Sequence, residues 1–283
     1  MATIKKIFLC ATLFVGLQQA YGQGVTDTSN SPYVQLRSIP MTDVKWTDGY
    51  ISVNRTGQER FKQVGDHETY NMGHLMTAAC VHHRATGKTN FLDIAIKAGD
   101  CLVATFPDES QHFLGYSSIM GLVSLYRTTG EQKYLDMAER FINMQGTGDT
   151  ASRRKLQKGV GTDQMQDRVP FREETRAVGH AVFGTYLYTG VANVVAETGE
   201  PELAAALDRI WGSVAHKRMD ITGAVGYGHL VSERGDRVHE AFGPEYGLPN
   251  LYNETCSGIG WGMLNWVLLL LPAECGANHR QAA

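Results

Sequence analysis

The stretch HEAFGPEYGLPNLYNETCSG, residues 239–258, concentrates side chains that could do chemistry in a segment rich in Gly and Pro. Glu254 and Cys256 are two residues apart, so within a helix they would point to nearly opposite sides. They can act together on the turn before a helix, which we expect to begin near Ser257. Backbone N–H groups at that N-terminus would lower the pKa of the cysteine. Zinc accepts both a carboxylate and a thiolate, so this pair could supply half of a four-ligand site.

Glu240 lies in the same segment, where neither helical nor strand periodicity is visible. A carboxyl group that lines a cleft and has a raised pKa can act as a general acid. Glu240 is therefore our candidate for a proton donor.

His67 and His74 lie two helical turns apart in the segment DHETYNMGHLMTAACVHH, so they share one face of a predicted helix. The segment is not the HExxH motif of zinc peptidases, because Asn71 stands where the second His would be. The two histidines can line a pocket or can be ordinary core or surface residues. The sequence leaves both interpretations open.

His180 stands between Gly179 and Ala181, on a helix that we predict over residues 176–197. Small neighbours, together with Glu174 and other charged residues just upstream, are compatible with a polar floor under a pocket. Sugar-binding clefts combine such groups with aromatic side chains. A lone His on a largely apolar helix is also a common structural feature, so this interpretation stays open as well.

Three segments share a pattern in which an apolar-periodic helix runs into Thr-Gly and a second helix follows after a few polar residues. A glycine in the left-handed conformation can end the first helix of each pair; these glycines are Gly87, Gly130 and Gly199. We therefore predict three antiparallel helical hairpins, whose first helices cover residues 67–85, 117–128 and 176–197.

No stretch shows sustained alternation of apolar and polar residues, so we predict an all-α fold with little sheet. Stacked helical hairpins that close on themselves form an (α/α) toroid, and an open helical solenoid is the alternative. Residues 146–171 form a long polar loop, which in a compact helical protein usually serves a site or is disordered.

The N-terminus has the pattern of a secretory signal peptide: Lys5 and Lys6, an apolar run over residues 7–17, and small residues before Gln23. We divide the chain into a signal peptide (1–22), an N-terminal segment (23–65), a partial barrel (66–272) and a tail (273–283). The exported chain would be secreted or periplasmic. It would lie outside the membrane, because the apolar run 266–271 is far shorter than the ~20 residues of a spanning helix.

The charge balance argues against polyanions as partners. The formal net charge is -3 at pH 7, which gives no electrostatic reason to expect nucleic acid.

Several segments together resemble the β-L-arabinofuranosidases of glycoside hydrolase family 127 and their relatives: YNMGHL, ATGKTNFLDIAIKAGD, VPFREETRAVGHAVFGTYLYTGVANVVAETGE, RMDITGAVG and HEAFGPEYGLPNLYNETC. The last two segments are the specific ones. The resemblance implies an (α/α)6 toroid that carries the catalytic centre, accompanied in the family by β-sandwich domains. It also implies a retaining exo-glycosidase that acts on plant-type oligosaccharide or polysaccharide side chains, with a zinc-bound cysteine as nucleophile.

The same resemblance implies roles for individual residues. Glu240, in HEAF, takes the place of the catalytic acid/base. Glu254 and Cys256, in ETC, take the places of zinc ligands. The residues expected to line the sugar pocket are His67, His74 and His180.

Three features depart from the family's pattern. The family's nucleophile and a further cysteine ligand form an adjacent pair downstream, whereas this sequence contains no Cys-Cys and Cys275 does not match that pair. The helix that follows His67 comes earlier than expected, and Tyr116 stands where relatives often carry His. We therefore expect a six-hairpin toroid that is truncated at its C-terminus and shortened near its N-terminus, without the β-sandwich domains.

These observations lead to one main hypothesis and two alternatives. The main hypothesis is an exported arabinofuranosidase-type glycoside hydrolase, which would be inactive if the nucleophile pair is missing. One alternative is a non-catalytic sugar-binding remnant. The other is a different α/α-toroid carbohydrate enzyme, such as a polysaccharide lyase or an unsaturated-uronide hydrolase, which would need no cysteine.

Overall fold

The structure is a computed structural model, and it describes residues 61, 67–109, 114–147, 163–226, 230–231, 237–238, 242 and 254–271. The α-helices in these residues are α1 (Glu68–Thr86), α2 (Asn90–Thr105), α3 (Tyr116–Thr129), α4 (Gln132–Met144), α5 (Ala181–Thr198), α6 (Pro201–Ala215) and α7 (Thr255–Leu270). Two short strands, β1 (Leu230–Val231) and β2 (Arg237–Val238), pair antiparallel with Leu230 opposite Val238. The prediction of an all-α fold with little sheet is confirmed.

The chain divides into two compact units. One contains Met1–Gln58 and Ala78–Ile94, and the other contains Glu59–Thr77 and Ala95–Ala283. All the described residues of the candidate site belong to the second unit.

The described part of the first unit, Ala78–Ile94, contains the end of α1, the turn that follows it and the start of α2. Gly87 has φ 71° and donates its N–H to the carbonyl of His83 at 2.8 Å. Nδ1 of His83 lies 2.9 Å from the carbonyl oxygen of Lys88, which ties the turn to the end of α1. This turn is the first of the three that the sequence predicts.

The other two predicted turns lie in the second unit. Gly130 ends α3 with φ 76° and donates its N–H to Tyr126, and Gly199 ends α5 with φ 68° and donates to Val195. A non-Gly residue is strained at such φ values, so the Thr-Gly signal locates these helix ends correctly.

Glycines let the helices of the second unit approach closely. An added Cβ would collide with the neighbouring helix at three positions: Gly73 of α1 against the Ser117 backbone of α3 (2.2 Å), Gly190 of α5 against Ile119 of α3 (2.9 Å), and Gly260 of α7 against Thr185 of α5 (2.3 Å). Any larger residue would push the helices apart. These contacts therefore set α1 beside α3, α3 beside α5, and α5 beside α7.

Side-chain hydroxyl groups reinforce the same helix pairs. The Ser117 hydroxyl donates to the carbonyl of Tyr70 at 2.7 Å, and the Thr69 hydroxyl donates to the carbonyl of Leu114 at 3.0 Å. The Thr189 hydroxyl donates to the carbonyl of Gly260 at 3.3 Å. Each bond satisfies a polar group that helix packing would otherwise bury unpaired.

Helix α5 is the most deeply buried element of the second unit. Its residues are buried continuously from Ala181 to Val195, because α3 and α7 pack against it. A helix that is apolar all round belongs inside a protein, whereas α4 and α6 keep exposed polar faces.

The start of α5 differs from the prediction. The helix begins at Ala181 rather than at residue 176, and residues 174–180 are irregular. The cause is Gly179, which has φ 75° and lies so close to the carbonyl of Asp163 that a Cβ would be 1.8 Å from that oxygen. His180 is consequently the N-cap residue of α5 and not part of the helix.

Several predictions fall on parts of the chain that the structure does not describe. The signal peptide 1–22, almost all of the N-terminal segment 23–65 and the tail 273–283 lie outside the described residues. Within the described part, no helix has the length and hydropathy needed to cross a bilayer.

The packing of α7 on α5 predicts opposite effects for two glycines of the same helix. Gly260→Ala places a Cβ 2.3 Å from the Thr185 hydroxyl, so we expect the free energy of unfolding to fall by about 1–3 kcal/mol. Gly262→Ala is the control, since its Cβ would have no neighbour within 4 Å and should add up to about 1 kcal/mol through helix propensity. Urea denaturation followed by circular dichroism measures both variants. Equal stability of the two would contradict the close crossing.

Candidate active site

Phe183, near the start of α5, is the centre of a cluster of rings that we call the Phe183 cluster. His180 and Tyr116 stack on Phe183, with ring centroids 4.3 and 4.7 Å away and interplanar angles of 22° and 23°. His67 and Tyr70 meet it edge-on, at 5.6 and 5.7 Å. Two nearly parallel rings at these distances cannot share one face of Phe183, so it is sandwiched between them. Stacked and edge-on pairs are the arrangements that aromatic quadrupoles favour.

His67 lies just before α1 and not on it. It has φ 59°, and its carbonyl accepts the first helical hydrogen bond from the N–H of Asn71 at 2.9 Å. The prediction of one helix face shared by His67 and His74 is therefore wrong, because α1 begins one residue later. Both rings nevertheless contact Tyr70, at centroid distances of 6.0 and 4.6 Å, so the fold does bring the two histidines together.

His74 is held between two tyrosines. Its ring centroid lies 4.6 Å from those of Tyr70 and Tyr186, with interplanar angles of 71° and 83°. Its Nε2 is buried and has no hydrogen-bond partner within the described part of the chain. Burial lowers the pKa of His74, which favours the neutral imidazole. A neutral imidazole offers one donor and one acceptor to a ligand.

The side chain of His180 caps α5. Its Nδ1 accepts the N–H of Val182 at 3.2 Å, which leaves the imidazole in a fixed orientation against Phe183. The backbone of His180 is held equally firmly, because its N–H donates to the carbonyl of Gln164 and its own carbonyl accepts from Nε2 of Gln166 at 2.9 Å. His180 is thus a capping residue and a member of the Phe183 cluster at once.

The last part of the long polar loop supports this arrangement. Gln166 is buried, and its Nε2 also donates to the carbonyl of Val178 at 2.9 Å. Nε2 of Gln145 donates in turn to the carbonyl of Gln166 at 2.7 Å, and Oδ1 of Asp167 accepts the N–H of Gly146 at 2.6 Å. The described end of the loop therefore serves the site by fixing the backbone around His180.

Glu174, upstream of His180, is held by structural contacts and not in a polar floor under a pocket. Glu174 is only 5% exposed, and its carboxylate accepts from Nε of Arg168 at 2.9 Å and from the backbone N–H of Thr175 at 2.8 Å. This carboxylate holds the irregular segment before α5 in place, so its role is structural.

Glu254 and Cys256 converge as the sequence predicts, although the helix begins earlier than expected. Glu254 is the N-cap of α7, Thr255 is its first residue, and Cys256 therefore lies inside the first turn. The thiol of Cys256 donates to Oε2 of Glu254 at 3.0 Å. The extended backbone at the cap, with φ -73° and ψ 135°, turns the glutamate toward the cysteine.

The expected lowering of the cysteine pKa is not found. Burial, and then the hydrogen bond to Glu254 and its negative charge, raise the pKa of Cys256 to about 11. The N–H groups at the helix start act in the opposite direction but are outweighed. The helix N-terminus alone does not set this pKa, because burial and the carboxylate that accepts the S–H both favour the protonated thiol.

The fit of this pair to a metal can be tested from the geometry. Two ligands of tetrahedral zinc, at about 2.0 and 2.3 Å from the ion, lie roughly 3.5 Å apart, so the observed 3.0 Å needs only a small opening. Within the described residues, no group of three or more His, Cys, Asp or Glu side chains could hold a metal ion. Glu254 and Cys256 therefore fit as half of a metal site.

The Glu254–Cys256 pair lies against the aromatic residues. Cys256 packs on a buried cluster that includes Val182 and Tyr186, and Tyr70 packs on the same cluster. Burial first, and then Tyr186, Cys256 and Glu254, raise the pKa of Tyr70 well above its ordinary value. A carboxylate, a thiol and phenol groups are thus close enough in the second unit to influence one another electrostatically.

The structure brings five of the six predicted residues into one region, namely His67, His74, His180, Glu254 and Cys256. The sixth, Glu240, lies outside the described residues, so its role stays a prediction. The sequence reasoning missed Tyr70, Tyr186 and Phe183. Their signal is spacing: Tyr70 lies four residues before His74, and Phe183 lies three residues after His180.

The buried His74 predicts a pH dependence of stability. Its folded-state pKa is below 6.5, so as the pH falls through that value the unfolded chain binds the proton first and the free energy of unfolding decreases. His74→Gln removes this contribution, and its free energy of unfolding should fall less between about pH 8 and about pH 5. Denaturant titrations at a series of pH values measure the slopes. His83→Gln is the control, and identical slopes for wild type and His74→Gln would contradict the prediction.

Comparison with known proteins places this arrangement in a family. Residues 27–276 match the family described as β-L-arabinofuranosidase, glycoside hydrolase family 127 catalytic domain. A non-reducing end β-L-arabinofuranosidase of Bifidobacterium longum subsp. longum is 35% identical over 225 residues, which are 74% of this chain and 33% of that protein.

Solved structures agree with this match. A family 127 β-L-arabinofuranosidase from Geobacillus stearothermophilus has 31% identity and a TM-score of 0.67, over 78% of this chain and 36% of that one. Another family 127 β-arabinofuranosidase has 39% identity and a TM-score of 0.64, over 77% of this chain and 33% of that one.

The chain spans about a third of the length of these relatives. Its helical hairpins are of the (α/α)6 toroid class, which confirms the predicted fold class over the open solenoid. The match over residues 27–276 and the identity to an arabinofuranosidase settle the assignment: the chain belongs to the catalytic-domain family of the glycoside hydrolase family 127 β-L-arabinofuranosidases.

Proposed function

We propose that this chain acts as a glycoside hydrolase that removes β-L-arabinofuranosyl residues from the non-reducing ends of plant-type oligosaccharide or polysaccharide side chains. Besides the family match, one observation carries the proposal: Tyr70 links the Phe183 cluster to the Glu254–Cys256 pair. Its ring contacts Phe183, and it packs on the same buried cluster as Cys256. Sugars bind through apolar ring faces and through hydroxyl groups, and this region offers aromatic rings beside imidazole and phenol groups.

In this proposal the histidines bind the sugar and Glu240 transfers the proton. The rings of His67, His74 and His180 position the sugar, since their nitrogens can pair with its hydroxyl groups. Glu240 protonates the oxygen of the leaving group as the glycosidic C–O bond breaks and a cysteine thiolate, the nucleophile that the resemblance implies, bonds to the anomeric carbon. In the second stage Glu240 takes a proton from the water that displaces this thiolate.

The proposed metal is zinc, held in part by Glu254 and Cys256. Their contacting atoms are a carboxylate oxygen and a sulfur, both of which zinc binds. A bound zinc ion would keep a coordinated thiol ionised. Without a metal, burial and then the hydrogen bond to Glu254 raise the pKa of Cys256, which keeps its thiol protonated.

Export is part of the same proposal. Residues 1–22 have the charged start, apolar centre and small-residue end of a signal peptide, so the mature protein would meet its glycan outside the cytoplasm. N-terminal sequencing of the protein recovered from the periplasm or medium tests this, and retention in the cytoplasm with residue 1 intact would contradict it.

A second candidate function is sugar binding without turnover. The observation that favours it is the Phe183 cluster, whose aromatic rings and imidazole groups can bind a sugar without any nucleophile. Hydrolysis of an aryl β-L-arabinofuranoside by the wild type, lost in Cys256→Ala, supports the hydrolase. Binding of methyl β-L-arabinofuranoside without hydrolysis supports the second candidate, and turnover that survives Cys256→Ala favours a cysteine-independent carbohydrate enzyme.

The proposed proton donor gives a prediction that depends on the leaving group. Glu240→Gln should lower kcat/KM for a poor leaving group by about 10²–10⁴-fold, because protonation limits the breaking of that bond. The loss should be smaller for a nitrophenyl group, which leaves with little protonation. Steady-state kinetics with a series of aryl leaving groups measures this, and Glu245→Gln in the same segment is the matched control. An equal loss across the series would rule out the assignment.

The half-site predicts weak binding of zinc. Because the described residues supply two of the four ligands of a closed site, we expect the purified chain to carry less than one zinc ion per molecule. A chelator should then change the melting temperature little, because stabilisation by a ligand depends on its affinity. Elemental analysis and thermal melts with and without the chelator measure both. One tightly held zinc ion per chain, lost in Cys256→Ser, would show that other residues complete the site.

A further inference from the structure

Tyr116, the first residue of α3, carries a buried hydroxyl group that no described residue uses. The side chain is 2% exposed, and its hydroxyl has no hydrogen-bond partner in the described part of the chain. A buried polar group without a partner destabilises a fold, so each such group requires an explanation. Phenylalanine would fill the same space without this disadvantage.

The backbone at Tyr116 is also strained. Its φ is 33°, in the region that non-glycine residues avoid. The chain cannot relax easily on either side, because a Cβ at Gly115 would lie 2.7 Å from Cβ of Phe141 and the Ser117 hydroxyl is tied to the carbonyl of Tyr70. Strain of this kind is typical of residues that are held in place for binding or catalysis.

The position of Tyr116 connects it to the proposed sugar site. Its ring stacks on Phe183 at 4.7 Å, and the opposite face of Phe183 carries His180. Tyr70 and His67 meet the edges of the same ring. Tyr116 therefore shares one neighbour, Phe183, with two of the histidines that we assign to the sugar, His67 and His180.

The hydroxyl is also in the right chemical form. Burial, and next the negative charge of Asp167, raise the pKa of Tyr116 well above its ordinary value, so the phenol stays protonated. A neutral phenol can donate one hydrogen bond and accept others, which matches a sugar hydroxyl group.

We propose that Tyr116 is a specificity-determining residue whose hydroxyl pairs with one hydroxyl group of the furanose ring. This inference rests on the proposed function, because it takes the arabinofuranoside as the ligand. The unpaired phenol gains its hydrogen bond when the sugar binds. A sugar that lacks the matching hydroxyl group leaves the phenol unpaired, and sites of this kind reject such analogues strongly.

The test distinguishes the contribution of the Tyr116 hydroxyl group from that of its ring. Tyr116→Phe keeps the stacking on Phe183 and removes one oxygen atom. We expect kcat/KM for an aryl β-L-arabinofuranoside to fall by about 10-fold or more, with a melting temperature equal to or above that of the wild type. Tyr134→Phe, which removes a hydroxyl bonded to Asp100 at 3.0 Å on other helices, is the matched control and should leave kcat/KM unchanged.

Deoxy substrates identify the partner of the hydroxyl. Wild type and Tyr116→Phe are compared on the parent substrate and on its 2-deoxy, 3-deoxy and 5-deoxy forms. The inference expects one deoxy form on which the two proteins have the same kcat/KM, because the hydrogen bond is already lost. An equal loss on all four substrates would show a structural role, and no loss on the parent would show no role; either result overturns the inference.

The same experiment distinguishes this inference from the proposed function. Turnover by the wild type that Tyr116→Phe does not reduce leaves the hydrolase proposal standing and rejects the role of Tyr116. If the wild type shows no turnover, calorimetric binding of methyl β-L-arabinofuranoside decides. Weaker binding by Tyr116→Phe supports the inference while the hydrolase proposal fails, and an absence of binding by the wild type overturns both.

Discussion

The candidate site depends on how closely the helices of the second unit approach one another. At Gly73, Gly190 and Gly260 a single added carbon would overlap the neighbouring helix, so the backbone packs directly on the backbone or on the first side-chain atoms of that helix. This close approach puts the start of α1, the start of α3 and the start of α5 side by side. Tyr70, Tyr116 and Phe183 can touch only because of it.

Burial is the second constraint, and it determines the protonation state of the site. It is the largest cause of the raised pKa of Tyr70, Tyr116 and Cys256 and of the lowered pKa of His74. All four groups are therefore held in their neutral forms, which suits a neutral ligand such as a sugar. Glu254, the N-cap of α7, accepts the S–H of Cys256.

The site also shows how one residue can serve both the fold and a ligand. His180 ends the irregular segment before α5, caps the helix through Nδ1 and stacks on Phe183. Two residues at the end of the long loop hold the backbone of His180. Gln166 donates to its carbonyl through Nε2, and the carbonyl of Gln164 accepts its N–H. A structural role and a binding role for His180, which are alternatives in the sequence, therefore coexist in the structure.

The sequence by itself determined the local features of this protein. Thr-Gly signals located the helix ends at Gly87, Gly130 and Gly199, because glycine alone takes a left-handed φ without strain. Apolar periodicity gave the all-α class, and the segment around Glu254 and Cys256 gave the converging pair.

Tertiary structure decided the rest. It moved the start of α5 to Ala181, because Gly179 packs against Asp163, and it reversed the expected pKa shift of Cys256, because burial and a carboxylate outweigh a helix terminus. It also built the Phe183 cluster from three helices, and contacts between residues far apart in the sequence leave no local pattern to read.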